Sequence, residues 1–357
     1  MIIINARFLT QKLTGVQRFA IELCFQMKER LGGDVQFVVP YNIIHTEIAE
    51  QLGAVVIGKK RGHLWEQIDL PIYLKAKGSP ILICLGNTAP VFYHNKISTL
   101  HDIMFIRYPK IFSFKFRMLY RILIPRVLHT SKHIFTVSDF SKKEICDYYN
   151  VNPDKVAIIY NAVNGMFHHI TDNALGKEKY LITVSSFKEN KNFIMAYKAF
   201  KLAQKYVEGL KLYIIGDVKT GSFNNMDVLV SQLQQDKDVV LLGRVADDKL
   251  VKYYSNAMAF LFPSFYEGFG IPVLEAQACG CPVISSNSSA LPEVLGDSAI
   301  LCNSNKENDF AKAIIKIAQD KIMSEYLVRR GYENVKRFSW GRSAEYIRDI
   351  IKSYDEY

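Results

Sequence analysis

The chain has 357 residues, 49% of them hydrophobic and 22% charged, which is enough for two domains with their own cores and without disulfides or a structural metal. The net charge of +10 is unevenly divided, because residues 1–170 hold 21 basic and 12 acidic side chains whereas residues 171–357 hold 24 and 23. The six cysteines are scattered, and Cys279 and Cys281 lack a second pair at zinc-ligand spacing, so neither a disulfide framework nor a zinc site is expected.

The chain opens on an apolar run. Met1 precedes three isoleucines, with no basic leader and no small-residue cleavage site, which predicts a first strand and not a signal peptide. No stretch reaches the roughly eighteen uninterrupted apolar residues that span a bilayer, and the most apolar one, 257–262, ends at Pro263. We therefore expect a cytoplasmic protein without a transmembrane helix.

Short β-type runs alternate with helical patterns along the whole chain, as is typical of doubly wound α/β domains. A first series predicts strands at 2–5, 35–39, 54–57, 81–84, 98–101, 133–137 and 156–160. A second series predicts strands at 180–184, 210–215, 239–242, 259–262, 282–285 and 299–301.

The polar stretch 164–177 has neither helical nor strand periodicity and is predicted to be the linker. Residues 306–355 are helical in pattern, with a break at 338–341 before a last helix that could pack on the first domain. The predicted domains are residues 1–170 together with 341–357, and residues 171–340.

The first domain contains a basic segment, residues 107–132. No acid occurs between Asp102 and Asp139, whereas seven lysines and arginines do. We hypothesise that this segment rests on an anionic membrane surface, so that the protein is peripheral at the inner face of the cell membrane. Nucleic acid is not an expected partner, since no recognition motif accompanies the charge.

A helical pattern runs through the basic segment. One face is predicted to pack in the core, Arg117 and Arg121 lie roughly opposite, and Pro125 predicts a kink or break. The predicted core face consists of Phe112, Phe116, Leu119, Leu123 and Val127.

The most specific stretch is 263–276, PSFYEGFGIPVLEA, directly after a predicted strand. Gly268 and Gly270 permit backbone conformations closed to other residues, Pro272 suits a helix start and Gly280 its end. The pattern predicts a glycine loop that feeds a short helix, whose first amides and dipole can bind a diphosphate.

Two carboxylates flank this loop. Glu275, predicted in the first helical turn, can reach a ribose hydroxyl pair, and Glu267, on the loop, can hydrogen-bond the hydroxyls of a transferred sugar. Taken alone, the two are better explained as a loop carboxylate and a helix-start residue favoured by the dipole.

The residues around them resemble, nearly one for one, the signature of glycosyltransferase family 4, also called glycosyltransferases group 1. Further segments match in order: 14–16, 101–102, 136–138, 159–161, 243–245, 247–250, 291–294 and 338–340. The resemblance implies an α/β protein with the GT-B fold, in which two Rossmann-like domains face an interdomain cleft and a C-terminal helix crosses back to the N-terminal domain.

The resemblance also implies roles on the donor side. Glu267 would contact the donor sugar, Glu275 the ribose, and Lys191 the leaving diphosphate, whose growing charge its ammonium can offset. The loop amides would bind the diphosphate, and 243–245 would face the donor base. The remaining donor-binding residues implied are Gly15, Gly268, Phe269, Gly270, Ile271, Arg244 and Val245.

His101 would lie beside the reacting carbon, and Asp102 would orient it or share its role. The sequence departs from the family pattern at Ser185, where glycine is usual, and at Ser186, where many members carry a phosphate-binding arginine. Lys188 could compensate for that arginine.

The family implies retention of anomeric configuration, by same-face displacement, with no cofactor and no metal. The DxD match at 236–238 precedes a predicted strand, the wrong end for a ligand site, and is interpreted as a solvated turn. The expected enzyme is a hexosyltransferase that uses a nucleotide sugar such as GDP-mannose and a glycan or lipid-linked acceptor, in bacterial surface polysaccharide synthesis. Two alternatives stay open: a nucleotide-sugar epimerase or hydrolase of the same fold, and a non-catalytic sugar-nucleotide-binding subunit.

Overall fold

The computed structural model describes residues 1–171, 178–216 and 226–355. The chain divides into two compact units, the first formed by Met1–Asn161 with Ser339–Tyr357 and the second by Ala162–Phe338. The predicted linker begins just after this boundary, and its residues 172–177 lie outside the described part of the chain.

The first unit is built on a parallel sheet. Within the described residues it has seven strands in the order β3-β2-β1-β4-β5-β6-β7. They are β1 (Ile2–Asn5), β2 (Val35–Val39), β3 (Val55–Val56), β4 (Ile81–Cys84), β5 (Lys96–Thr99), β6 (His133–Thr136) and β7 (Val156–Ile158).

Helices connect these strands and cover the sheet. They are α1 (Gly15–Leu31), α2 (Thr46–Leu52), α3 (Gly62–Leu64), α4 (Leu70–Ala76), α5 (Met104–Arg107), α6 (Phe114–Thr130) and α7 (Asp139–Tyr149). The start of α6 is capped by Ser113, and Ser138 caps α7 in the same way, because each hydroxyl accepts a hydrogen bond from the amide three residues on.

The second unit is also built on a parallel sheet, of six strands in the order β10-β9-β8-β11-β12-β13 among the described residues. The strands are β8 (Tyr180–Val184), β9 (Lys211–Ile215), β10 (Val239–Gly243), β11 (Ala259–Phe262), β12 (Val283–Ser286) and β13 (Ile300–Cys302). The helices are α8 (Phe193–Ala203), α9 (Met226–Gln235), α10 (Asp247–Asn256), α11 (Ile271–Ala278), α12 (Leu291–Leu295), α13 (Glu307–Gln319) and α14 (Lys321–Val335).

The last helix, α15 (Trp340–Asp355), belongs to the first unit. The Trp340 ring meets Phe19 of α1 edge-on with 5.9 Å between centroids, and Arg30 of α1 lies 3.5 Å from Glu345. An added Cβ at Gly341 would lie 2.6 Å from Arg30 Nη2, so the Arg30 guanidinium occupies the space beside this glycine.

One predicted strand is displaced along the chain. The strand predicted at 98–101 is Lys96–Thr99, so His101 lies beyond its end. Lys96 reads as polar but is fully buried, where its ammonium donates to Tyr93 O and Thr130 Oγ1. Burial lowers the pKa of Lys96 to about 8.

Pro125 does not break its helix, because α6 continues to Thr130. Both Pro125 and Arg121 lie on the exposed side, where water can reach a carbonyl freed by the missing proline N–H. The Arg126 guanidinium donates to Ile122 O at 2.7 Å, which satisfies a carbonyl in the same turn.

Candidate active site

The predicted glycine loop follows β11 and leads into α11, as the sequence indicates. Gly270 caps the helix with a φ of +100°, and an added Cβ would lie 3.0 Å from Leu291 Cδ2, so glycine is required there. Pro272 has no N–H, and Val273 N donates to Gly270 O. An anion at this helix start would therefore meet the Ile271 amide and the amides of the preceding loop.

Glu267 and Lys191 form a short ion pair beside this loop. Lys191 Nζ lies 2.6 Å from Glu267 Oε1, with the two side chains only 17% and 9% exposed. The ammonium also lies 5.6 Å from the centre of the Phe262 ring. Sequence reasoning predicted both residues as donor-side groups, and the structure brings them together.

Hydrogen bonds of Asn190 and Asn192 connect the turn that carries Lys191 to the glycine loop. Asn190 accepts from Phe265 N at 2.8 Å through its carbonyl and donates to Tyr266 O at 3.1 Å through its side chain. Asn192, with a φ of +53°, donates to Pro263 O and Ser304 O. These contacts fix Lys191 relative to Glu267, and the sequence analysis missed them.

The loop after β12 holds the backbone of Glu267. The Ser289 hydroxyl accepts a hydrogen bond from Glu267 N at 2.9 Å, and Ala290 N approaches Glu267 O at 3.4 Å. Ser289 has a φ of +54°, an uncommon conformation for a residue other than glycine. Its role in positioning Glu267 was not predicted either.

Glu275 lies in the second turn of α11 and not in the first turn as predicted, because the helix begins at Ile271. It is the fifth residue of a helix whose first turn contains no acid, and it is 5% exposed. The preference of a helix start for negative charge therefore does not explain this carboxylate. A buried carboxylate beside a ligand loop instead fits the predicted role as a hydroxyl acceptor.

The ends of the neighbouring strands β8, β9 and β10 are hydrogen-bonded at the carboxyl edge of the second sheet. Ser185 N donates to Ile215 O at 3.0 Å, and Gly216 N donates to Gly243 O at 2.8 Å. Gly216 has a φ of +151°, and an added Cβ would lie 1.7 Å from Ser185 O. Glycine is thus required at position 216, which the sequence analysis did not single out, although its position directly after a strand was a signal.

Three further predicted donor-side residues, Ser186, Arg244 and Val245, follow strands at the same edge of the second sheet. Ser186 is half-buried, and its carbonyl accepts from Lys188 N at 2.8 Å. Arg244 is exposed and Val245 half-buried, directly after β10. Their predicted contacts with a phosphate and a base stay predictions.

In the first unit, the ring of His101 is held in a fixed orientation. Its Nε2 lies 3.1 Å from Leu85 O, and Phe19 meets the ring edge-on at 4.7 Å. Since a carbonyl only accepts, Nε2 carries the proton and Nδ1 is left as the acceptor. Burial lowers the pKa of His101 to about 4, so the ring is neutral at physiological pH.

Asp102 and Gly15 lie at helix starts. Asp102 Oδ1 accepts from Met104 N at 2.9 Å, which begins α5. Gly15 is the exposed first residue of α1, after the extended Thr14. The ring of His101 is oriented by Leu85 and Phe19, and Asp102 binds the backbone of α5.

The buried face of α6 differs from the predicted one. Leu119 was assigned to the core but is 40% exposed, while Tyr120, Ile124 and Leu128 are buried with the predicted Leu123 and Val127. The exposed side carries a second apolar stripe, and Phe114 (67% exposed), Met118 (41%) and Ile122 (54%) follow one another at every fourth position. Lys115, Arg121 and Arg126 flank this stripe.

The DxD match is a structural turn, but not a solvated one. The Asp236 carboxylate, 10% exposed, accepts from Tyr197 Oη at 3.0 Å and from Lys201 Nζ at 2.8 Å, and Asp238 accepts from Gln204 Nε2. Within the described ranges, no three His, Cys, Asp or Glu side chains cluster as metal ligands would. Among the described helices, none combines the length and the apolar composition of a membrane-spanning segment.

Comparison with protein-family models matches residues 168–334 to "Glycosyl transferases group 1" and residues 83–165 to "Glycosyltransferase Family 4". Two Rossmann-like units with these matches define a glycosyltransferase of the GT-B fold. The chain belongs to glycosyltransferase family 4.

Two curated relatives are O-antigen enzymes. The chain is 28% identical over 356 residues to the O-antigen chain mannosyltransferase RfbU of Salmonella typhimurium, covering 94% of this chain and 97% of that protein. It is 30% identical over 257 residues to the O-antigen chain mannosyltransferase B of Escherichia coli, covering 68% of this chain and 66% of that protein.

A solved structure shares the fold. Sucrose-phosphate synthase from Thermosynechococcus elongatus superposes with a TM-score of 0.77 over 99% of this chain and 98% of that one, at 18% identity. The similarity extends across both units, which confirms the predicted fold class.

Proposed function

We propose that the protein is a retaining hexosyltransferase that moves a hexose from a nucleotide sugar to a glycan or lipid-linked acceptor during assembly of a bacterial surface polysaccharide. The observation that carries this proposal is the Lys191–Glu267 pair, 2.6 Å apart beside a glycine loop. The O-antigen mannosyltransferases among its relatives support a mannose donor, with GDP-mannose as the first candidate.

The pair suits transfer because its two members would bind two different parts of the donor, the diphosphate and the sugar. The anomeric carbon loses its bond to the diphosphate oxygen and gains one to the acceptor hydroxyl oxygen on the same face, and the hydroxyl proton passes to the departing diphosphate. Lys191 stabilises the negative charge that grows on the leaving group, while Glu267 accepts hydrogen bonds from the sugar hydroxyls. Because an ammonium and a helix start supply the positive potential, we propose that the reaction needs no metal.

Binding of the donor can be tested before any acceptor is known. A ligand that binds only the folded protein raises its melting temperature by mass action. We expect GDP-mannose to do so most strongly in a panel that also holds UDP-glucose, UDP-galactose and UDP-N-acetylglucosamine. Glu275→Ala should lose most of that increase, and an unchanged increase in this variant would contradict the predicted ribose contact.

Product analysis separates transfer from the two alternatives. Donor consumed at full rate without any acceptor would favour a hydrolase or epimerase, and donor bound without turnover across a range of glycan acceptors would favour a binding subunit. Loss of transfer after exhaustive chelation, with recovery on adding a divalent cation, would contradict metal independence.

The exposed side of α6 supports a further part of the proposal, contact with an anionic membrane. Its stripe of Phe114, Met118 and Ile122 is continuous along the helix and bordered by cations. An amphipathic helix with this arrangement lies in the plane of the lipid headgroups, with its apolar side chains inserted. A lipid-linked acceptor would be presented at that same surface.

A further inference from the structure

A cluster of buried polar side chains lies at the carboxyl edge of the first sheet, between β1 and β4. These two strands are neighbours, with Asn5 paired to Cys84, while β2 lies on one side of them and β5 on the other. The strand order reverses at this point, and in open parallel sheets such a switch point is where ligands bind. None of the roles assigned so far uses this cluster.

Glu66 is the centre of the cluster and is 1% exposed. Its Oε1 accepts from Asn5 Nδ2 at 2.8 Å and from Arg7 Nε at 3.1 Å, and its Oε2 accepts from Thr88 Oγ1 at 2.6 Å. Burial favours the neutral acid, but the charge of Arg7, the His63 ring with its Nδ1 3.5 Å from Glu66 Oε2, and the hydrogen bond from Thr88 outweigh it and lower the pKa of Glu66 to about 2. Glu66 therefore stays ionised and neutralises Arg7.

Stability alone does not account for this arrangement. A buried ion pair adds little to stability compared with well-packed apolar residues of the same volume. Glu66 also lies in a π-helical turn, Trp65–Asp69, which is fixed by a hydrogen bond from Trp65 Nε1 to Ile57 O. Such turns are rare in proteins, and those that occur are often found at functional sites.

Arg7 keeps part of its guanidinium available. The residue is 9% exposed, Nε binds Glu66, and Nη2 donates to Thr88 Oγ1 at 2.7 Å. Within the described parts of the chain, Nη1 makes no hydrogen bond, and it is not among the unpaired atoms shut off from solvent. Its two N–H groups therefore have no protein partner and are in part accessible to solvent.

The same loop joins this cluster to His101. After β4, Leu85 O holds the His101 ring and Asn87 Oδ1 accepts from His101 N at 3.0 Å, while Thr88 contacts both Arg7 and Glu66. A ligand group bound at Arg7 is thus placed by the segment that also places His101.

We propose that Arg7 Nη1 binds a hydroxyl oxygen of the acceptor glycan, with Glu66 and Thr88 as positioning residues. This inference rests on the proposed transferase function. A guanidinium already paired with a carboxylate has little net charge to attract a phosphate, whereas its free N–H groups remain good donors to a sugar hydroxyl. The ligand is therefore the neutral saccharide part of the acceptor.

Arg7→Lys tests the site, because lysine can keep the ion pair with Glu66 but lacks the second terminal nitrogen. Saturation-transfer NMR on the full chain, with mannotriose and N,N′,N″-triacetylchitotriose as probes, should show binding to the wild type. The variant should bind about tenfold more weakly or worse, as expected for a lost charge-assisted hydrogen bond. Its KM for acceptor should rise similarly, with kcat and the donor-induced melting shift little changed.

Arg30→Lys, near the end of α1 and away from the Glu66 cluster, is the matched control and should bind both probes as the wild type does. Equal binding by wild type and Arg7→Lys, or no binding of either trisaccharide by the wild type, would overturn the proposal. Trisaccharide binding without any response to nucleotide sugars would instead contradict the transferase function and leave the Arg7 site supported.

A second variant covers the case in which Arg7→Lys does not fold. Glu66→Gln keeps the shape of the cluster but removes the negative charge that neutralises Arg7. The affinity for mannose 1-phosphate should therefore rise about tenfold relative to the affinity for mannotriose. An unchanged ratio of the two affinities would mean that Arg7 does not meet the ligand.

Discussion

Lys191 Nζ lies 2.6 Å from Glu267 Oε1, although the two residues are 76 positions apart in the chain. One belongs to the turn before α8 and the other to the loop after β11, so the fold of the second unit alone creates the pair. In the proposed transfer, the donor enters beside an ammonium that Glu267 already neutralises. As negative charge grows on the diphosphate, the ammonium can shift its contact toward the leaving group, which favours the transition state over the bound donor.

We therefore expect Lys191→Met to lower kcat about 100-fold, in the range seen when one preorganised donor to a developing negative charge is removed. Initial rates of sugar transfer at saturating donor and acceptor measure this directly. Lys198→Met, on the exposed side of α8, is the control and should keep wild-type rates. A kcat within threefold of wild type in Lys191→Met would rule out the proposed charge stabilisation.

Gly216→Ala should damage both stability and donor binding. The new Cβ would lie 1.7 Å from Ser185 O, so the ends of β8 and β9 must move apart at a cost of about 2–3 kcal/mol. Chemical denaturation measures the loss, and the melting shift with nucleotide sugar should shrink as well.

The control is Gly165→Ala in the same unit, where an added Cβ meets nothing within 4 Å. If Gly216→Ala unfolds at the same denaturant concentration as the wild type, the close approach of the two strand ends does not exist in solution.

The sequence predicted local features well and long-range ones poorly. The glycine loop, its helix and Gly280 after the helix end follow from backbone preferences of single residues, which are readable in order along the chain. The contacts of Asn190 with Tyr266, or of Arg7 with Glu66, join residues 76 and 59 positions apart. The hydrophobic periodicity of the sequence, which predicts helices and strands, does not indicate such contacts.

Two other errors arose because a polar residue is buried and an apolar one is exposed. The strand predicted at 98–101 left out the charged residue Lys96, which is in fact its first residue. Lys96 can be buried because Tyr93 O and Thr130 Oγ1 become its hydrogen-bond partners after folding. Leu119 looked like a core residue, since an apolar side chain on an amphipathic helix is normally buried, yet it lies on the exposed side of α6.

Stability should fall below neutral pH because of His101. Its pKa is lowered from 6.5 to about 4 by burial, so between these values the unfolded chain binds a proton that the folded protein excludes. The unfolded state is therefore favoured as pH falls through this window, by up to ~3 kcal/mol from this residue.

Denaturant unfolding at a series of pH values tests the effect. His101→Gln cannot be protonated and should lose less stability between pH 6.5 and 4 than the wild type, although His133, whose pKa burial also lowers to about 4, still contributes. The exposed His129→Gln serves as the control. Parallel pH profiles for wild type and His101→Gln would show that the ring is not held neutral.

Membrane contact should depend on both the charges and the apolar stripe of α6. We expect the protein to co-sediment with vesicles containing phosphatidylglycerol and much less with pure phosphatidylcholine, because each Lys or Arg near an anionic surface contributes about 1 kcal/mol. Arg117→Glu with Arg121→Glu should abolish the difference between the two lipids. Met118→Ser with Ile122→Ser should weaken binding to anionic vesicles without removing its salt dependence, since the cations remain.

Lys198→Glu with Lys205→Glu makes the same charge change on exposed positions of the second unit and should leave binding intact. If this control pair reduces co-sedimentation as much as the α6 pair, net charge and not the α6 surface accounts for the attraction.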